Sequence, residues 1–103
     1  MLKDTYRLNQ DLGDMYRTPI IVCRFGRVLA VAGRLDAAAR VLSGGEALRE
    51  EMGASSPWLE RMNEKTLSMI RAGLDEAAFD AAWEEGRRLT PDEAVALALD
   101  SLA

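Results

Sequence analysis

Residues 20–45 of this chain read IIVCRFGRVLAVAGRLDAAARVLSGG. The first half is apolar on nearly every side of a helix, whereas the second half carries its apolar residues along one side. Gly33 separates the halves, and glycine readily adopts the left-handed backbone conformation that ends a helix. The stretch therefore predicts two helices, over residues 18–32 and 35–52, joined by a tight turn.

Helical periodicity continues on both sides of this pair, and no segment alternates apolar and polar residues for long enough to predict a strand. We expect a short helix over residues 3–12 and three further helices over residues 57–72, 75–88 and 91–102. The strongest local signal is the segment Thr90-Pro91-Asp92-Glu93, a capping box with proline in the first turn. Short connections favour antiparallel neighbours. The sequence thus predicts an all-α fold of about six helices, arranged as stacked antiparallel helical hairpins.

The composition excludes several classes of chemistry. The 103 residues include no His and a single Cys, Cys23. A Ser-His-Asp triad, a His-ligated metal and an internal disulfide are therefore impossible. We expect no enzymatic activity, no cofactor, no metal and no small-molecule substrate. Cys23 lies on the apolar helix without a base in reach, so we expect an inert buried thiol.

The charge is distributed unevenly along the chain. The formal net charge is −4, with five bases and three acids in residues 1–30 but two bases and eight acids in residues 75–103. The acidic end opposes contact with phosphates, so we expect no direct binding of nucleic acid. No apolar run approaches the ~20 residues of a membrane span. The beginning of the sequence lacks a targeting pattern, and we expect a cytoplasmic protein.

The segment from Val22 to Gly45 resembles a tetratricopeptide repeat, a helix-turn-helix unit of about 34 residues. The match is by residue size, with large residues along the first helix and an alternation of small and large residues along the second. The matching positions are Val22, Phe25, Gly26, Leu29, Ala38, Leu42 and Gly45. Small residues at Gly26 and Ala38 are those that allow paired helices to approach closely.

Further segments are similar to the C-terminal region of large actinobacterial-type ATP-dependent regulators, a family that includes LuxR-type transcription regulators and cyclase-linked signalling ATPases. Residues 32–38 (AGRLDAA) and 46–50 (EALRE) resemble its final repeat, and residues 10–14 (QDLGD) the end of the preceding one. Residues 79–87 (FDAAWEEGR) and 90–99 (TPDEAVALAL) resemble its last two helices.

The resemblance implies a terminal repeat with its cap, in a shortened relative of these regulators. It implies one helical domain over residues 1–103, with a partial repeat helix (1–13), a repeat-like helix pair (14–53) and capping helices (54–103). The sequence contains no Gly-x4-Gly-Lys-Ser/Thr motif, and the resemblance stops short of the DNA-binding domain. ATP binding, cyclase activity and DNA binding are therefore not implied.

The candidate interaction residues are basic, apolar and aromatic. Arg17, Arg24 and Arg27 cluster on one side of the helix over residues 18–32. They form either a basic strip for an acidic peptide or phosphate, or a solvated face that pairs with nearby acids. Leu29 and Trp58 complete the candidate set.

A solenoid usually needs at least about three repeats, because each unit buries only part of its apolar face. We therefore expect a non-enzymatic helical module, regulatory or signalling-related, that completes its core as a homodimer through its first two helices. The alternative is a monomeric peptide-binding adaptor for a transcription regulator, with a groove near Arg24, Arg27 and Leu29. The expected partner is a protein in either case.

Overall fold

The computed structural model describes residues 18–53 and 57–102. Within these ranges it contains five helices and no strand. They are α1 (Thr18–Val31), α2 (Leu35–Met52), α3 (Pro57–Gly73), α4 (Glu76–Arg87) and α5 (Pro91–Leu102). The predicted all-α class is confirmed, and each helix boundary lies within one residue of its predicted position. The helix predicted over residues 3–12 lies outside the described residues.

Helices α1 and α2 form a tightly packed antiparallel hairpin. Gly33 ends α1 with a φ of 82°, the left-handed conformation predicted for the turn. A Cβ atom placed on Gly26 would lie 3.1 Å from the Leu42 Cβ, and one on Gly45 would lie 2.7 Å from the Cys23 Sγ. Small residues on both helices therefore allow the close approach, and the early part of α1 faces the late part of α2.

Helix α2 is the centre of the fold and packs against the other four helices. Its residues Leu42 and Gly45 contact α1, whereas Arg40 and Ser43 contact α4. At 100° per residue these two pairs lie on opposite faces of α2. Helices α1 and α4 are therefore held on opposite sides of the central helix.

Side-chain caps begin the last two helices at the positions that the sequence predicts. The Ala78 N–H donates to the Asp75 Oδ1 (2.7 Å) at the start of α4. At the start of α5, the Glu93 N–H donates to the Thr90 Oγ1 (3.1 Å) and the Thr90 N–H donates to the Glu93 Oε1 (2.9 Å). This reciprocal pair is the predicted capping box.

The core contains mostly aliphatic side chains from α1, α2 and α3. Its largest fully buried side chains include Phe25, Leu29, Leu42, Leu59 and Ile70. Leu102, the last residue of α5, is exposed. The core does not cover every apolar side chain of α1. In the part of the chain that the structure describes, Val28 is 39% exposed and Val31 is 67% exposed.

Candidate protein-interaction surface

Basic side chains of α1 and α3 surround the exposed ring of Trp58. A cavity of about 400 Å³ is lined by Arg27, Trp58, Arg61, Met62 and Lys65. Arg24 joins them, since its guanidinium carbon lies 5.6 Å from the centre of the Trp58 ring. We call these six residues the basic groove.

The contact between Arg24 and Trp58 is a cation–π interaction, in which the guanidinium is attracted to the negative face of the ring. Trp58 is 49% exposed, so one part of the indole supports Arg24 while the rest stays accessible. An aromatic side chain with few rotatable bonds is a typical anchor in protein interfaces. The groove thus combines positive charge with an apolar contact surface.

Within residues 18–53 and 57–102, no neighbouring acid neutralises the cations of the basic groove. Among the described residues, no carboxylate lies within 4.0 Å of Arg24, Arg27, Arg61 or Lys65. Arg40 on α2, by contrast, contacts both Asp36 (2.7 Å) and Glu85 (2.6 Å). The described residues therefore do not show the α1 arginines pairing with nearby acids, which was one of the two interpretations of the sequence.

Helix α3 places its charges of opposite sign on different sides. Its buried stripe includes Leu59, Asn63 and Thr66, which face the core. Arg61 and Lys65, four residues apart, line the basic groove, whereas Glu60 and Glu64 line a separate cavity of about 310 Å³. Residues four apart share a helix face, so the arrangement follows from their spacing.

The exposed valines of α1 extend the surface beyond the groove. Val28 lies about one turn after Arg24, and Val31 about one turn after Arg27, on the same outward face of α1. Scattered exposed aliphatic residues are normal on protein surfaces. Val28 and Val31 nevertheless place an apolar surface directly beside the basic groove.

The structure brings together three of the predicted interaction residues and places a fourth, Leu29, in the core. Arg24, Arg27 and Trp58 meet in the basic groove. Leu29 is 0% exposed, so it belongs to the core and not to the surface, and the groove predicted around it is lined instead by α3 residues. Arg17 lies outside the described residues.

Sequence reasoning did not identify Arg61 and Lys65 as members of this surface. Their only sequence signal is the spacing of Arg61 and Lys65, which is common on exposed helix faces. They become part of a site because α3 packs against α1, a long-range contact.

A buried polar cluster lies between α1, α2 and α3. Asn63 is 2% exposed, and its Nδ2 donates to the Glu46 Oε1 (2.5 Å) and to the Cys23 Sγ (3.4 Å). Glu46 also accepts a hydrogen bond from the Arg49 Nη2 (2.7 Å). Burial raises the pKa of Cys23 to about 12, so its thiol is protonated at neutral pH. This cluster therefore holds three helices together without supplying a nucleophile.

The part of the chain that the structure describes contains no group of three or more His, Cys, Asp or Glu residues arranged to hold a metal ion. None of the described helices combines the length and the hydropathy needed to cross a bilayer. Comparison with protein-family models, with curated proteins and with solved structures gives no match.

Proposed function

We propose that this chain is a non-enzymatic protein-interaction module that binds an acidic segment of a partner protein in the basic groove. The observation that carries the proposal is the set of four cations around an exposed indole, without a described acid in contact with any of them. Carboxylates accept charge-assisted hydrogen bonds from arginine, which are stronger than neutral ones. An apolar side chain next to the acids would contact Trp58 and Met62.

An acidic protein segment fits this surface better than a nucleic acid does. The chain as a whole carries a formal charge of −4, and eight of its acids lie in residues 75–103. A long polyanion would be repelled by those acids outside the groove, whereas a short segment would contact the groove alone. The groove also offers one exposed aromatic ring, not the series of rings on which consecutive bases stack.

The proposed function corresponds to the adaptor interpretation of the sequence. The similarity of residues 79–99 to the last helices of LuxR-type regulators supports a regulatory or signalling role in the cytoplasm. The repeat-like pattern of residues 22–45 supports a module that acts through helix packing.

Exposed Val28 and Val31 favour a second candidate function, homodimerisation through the outer face of α1. A symmetric contact there would bury both valines of each copy and complete the cover of an almost wholly apolar helix. Such a dimer would be driven by apolar burial and would bring Arg24 and Arg27 of the two copies close together, so added salt would not weaken it.

Binding to the basic groove can be measured with a fluorescein-labelled amphipathic peptide that carries Glu at every fourth position. We expect its anisotropy to rise on addition of the protein and to fall with added salt. Arg61→Gln should weaken binding by about fivefold, because each exposed ion pair contributes up to about 1 kcal/mol. Arg88→Gln is the matched control, since Arg88 is exposed, lies outside the groove and changes the net charge equally.

Two results would count against this function. The first is equal binding of a peptide with Lys in place of Glu, which would show that charge does not select the ligand. The second is an equal loss of affinity in the Arg61→Gln and Arg88→Gln variants, which would show that net charge and not the groove attracts the peptide.

A further inference from the structure

The outer face of α4 is the negative counterpart of the basic groove. Three exposed acids lie at intervals of four residues and form one row along the helix: Glu76, Asp80 and Glu84. We call this row the acidic face of α4. Among the described residues, no base lies within 4.0 Å of these three carboxylates. The guanidinium of Arg71, which lines a cavity with Glu76 and Asp80, lies over the Phe79 ring at 4.7 Å.

The basic groove and the acidic face of α4 match in spacing. Residues four apart on an α-helix are separated by about 6 Å along the axis. This is the interval between Arg61 and Lys65 on α3 and between successive acids on α4. The small exposed residues Ala77 and Ala81 border the acidic row, so another helix surface can approach α4 closely.

Within one chain the two surfaces are kept apart. The basic groove is formed by α1 and α3, and α1 lies on the face of α2 opposite to α4. Helix α3 itself contacts α4, but among the described residues no ion pair within 4.0 Å joins a groove cation to Glu76, Asp80 or Glu84. Pairing of the groove with these acids therefore requires a second molecule.

We propose that the occupant of the basic groove is the acidic face of α4 from a second copy of this chain. This inference rests on the function proposed for the groove and names the partner. Because α1 of the groove and α4 lie on opposite faces of α2, one contact engages the groove of one copy and α4 of the next. The contact is therefore heterologous, and each bound pair leaves one groove and one acidic face free. Association therefore continues beyond the dimer as the concentration rises.

Light scattering after size exclusion, over about a hundredfold range of concentration, tests the proposal. At low salt the average mass should rise continuously from one chain, and high salt should return it to one chain because exposed ion pairs are screened. The groove variant R61E/K65E and the α4 variant D80K/E84K should each weaken association by about tenfold or more, since two attractive contacts become repulsive.

Mixing the two variants distinguishes this arrangement from a symmetric contact through Val28 and Val31 of α1. Each variant repels its own copies, but in an equimolar mixture every groove meets an α4 face of opposite charge, so association should return. The control E51K/D100K changes two exposed acids outside α4 and has the same net charge as D80K/E84K, and it should associate like the unmodified chain. Circular dichroism confirms that every variant is folded.

Three outcomes would overturn the proposal. A mass of one chain at all concentrations excludes self-association, and if the Glu-containing peptide still binds, the function proposed for the groove stands without it. Association that persists unchanged in D80K/E84K assigns the contact to the valine face of α1. Failure of the mixed variants to associate excludes the pairing of the groove with α4.

Discussion

Replacing Gly86 with alanine tests the close contact on which the position of α4 depends. A Cβ atom at Gly86 would lie 2.7 Å from the Ser43 Cβ and 2.8 Å from the Arg40 Cα, and it would overlap the Arg40 carbonyl oxygen. Two of these atoms belong to the backbone of α2, so no side-chain rotation relieves the overlap. The methyl group must push α4 away from α2.

The expected loss of stability follows from three contributions. Overpacking a well-packed contact costs about 1–3 kcal/mol. Separation of the helices also weakens the hydrogen bond from the Ser43 Oγ to the Trp83 carbonyl oxygen (2.6 Å), a further loss of about 1 kcal/mol. The higher helix propensity of alanine offsets about 1 kcal/mol of this loss of stability. The net loss is about 2 kcal/mol, which for a chain of this size lowers the Tm by roughly 10 °C.

Urea unfolding followed by far-ultraviolet circular dichroism measures the free energy of unfolding, with Gly33→Ala as the comparison. Gly33 has a φ of 82°, and a Cβ atom placed on it would meet nothing within 4 Å, so its variant should lose only the ~1 kcal/mol of left-handed backbone strain. We therefore expect Gly86→Ala to be the less stable of the two. A Gly86→Ala variant as stable as the unmodified chain would refute the close packing of α4 against α2.

Three further predictions concern the caps, the buried thiol and the groove. Thr90→Ala removes the acceptor of the Glu93 N–H and should lower the free energy of unfolding by about 1 kcal/mol in urea; an unchanged value would contradict the capping box. Burial raises the pKa of Cys23 to about 12, so above pH 9 the unfolded thiol ionises first and stability should fall by up to about 1.4 kcal/mol per pH unit. Cys23→Ala should lack this decline, which for the native thiol runs from about pH 9 to about pH 12, and identical pH profiles above pH 9 would argue against a buried thiol. In a Trp83→Phe variant, the ratio of iodide to caesium quenching of Trp58 fluorescence at low salt should exceed the ratio for free tryptophan amide, because cations surround the ring; an equal ratio would exclude a positive potential there.

The helix boundaries could be predicted from the sequence because the chemistry that sets them is local. Gly33 ends α1 through its own backbone freedom, and Asp75 and Thr90 begin helices by accepting hydrogen bonds from N–H groups three residues away. No knowledge of the tertiary fold is needed for these interactions. The same reasoning cannot show which helices become neighbours.

The basic groove could be predicted only in part, because it depends on the contact between α1 and α3. Arg24, Arg27 and Trp58 are visible as candidates in the sequence, but their meeting with Arg61 requires a long-range contact. The prediction that Leu29 lies at the surface is wrong, because a helix that is apolar on nearly every side does not reveal which side faces the core. In the structure Leu29 faces inward, and Val31 takes the exposed position.

The central helix α2 connects the fold to the proposed association. Gly45 allows α1 to lie directly against one face of α2, and Gly86 allows α4 to lie directly against the other. Close-packed contacts of this kind hold the two outer helices in fixed positions and leave little freedom to rearrange. Among the described residues, no ion pair joins the basic groove to the acidic face of α4 within one chain. A molecule with separated, uncompensated charges of opposite sign lowers its electrostatic free energy by pairing with another copy, and the salt dependence of its mass measures that gain directly.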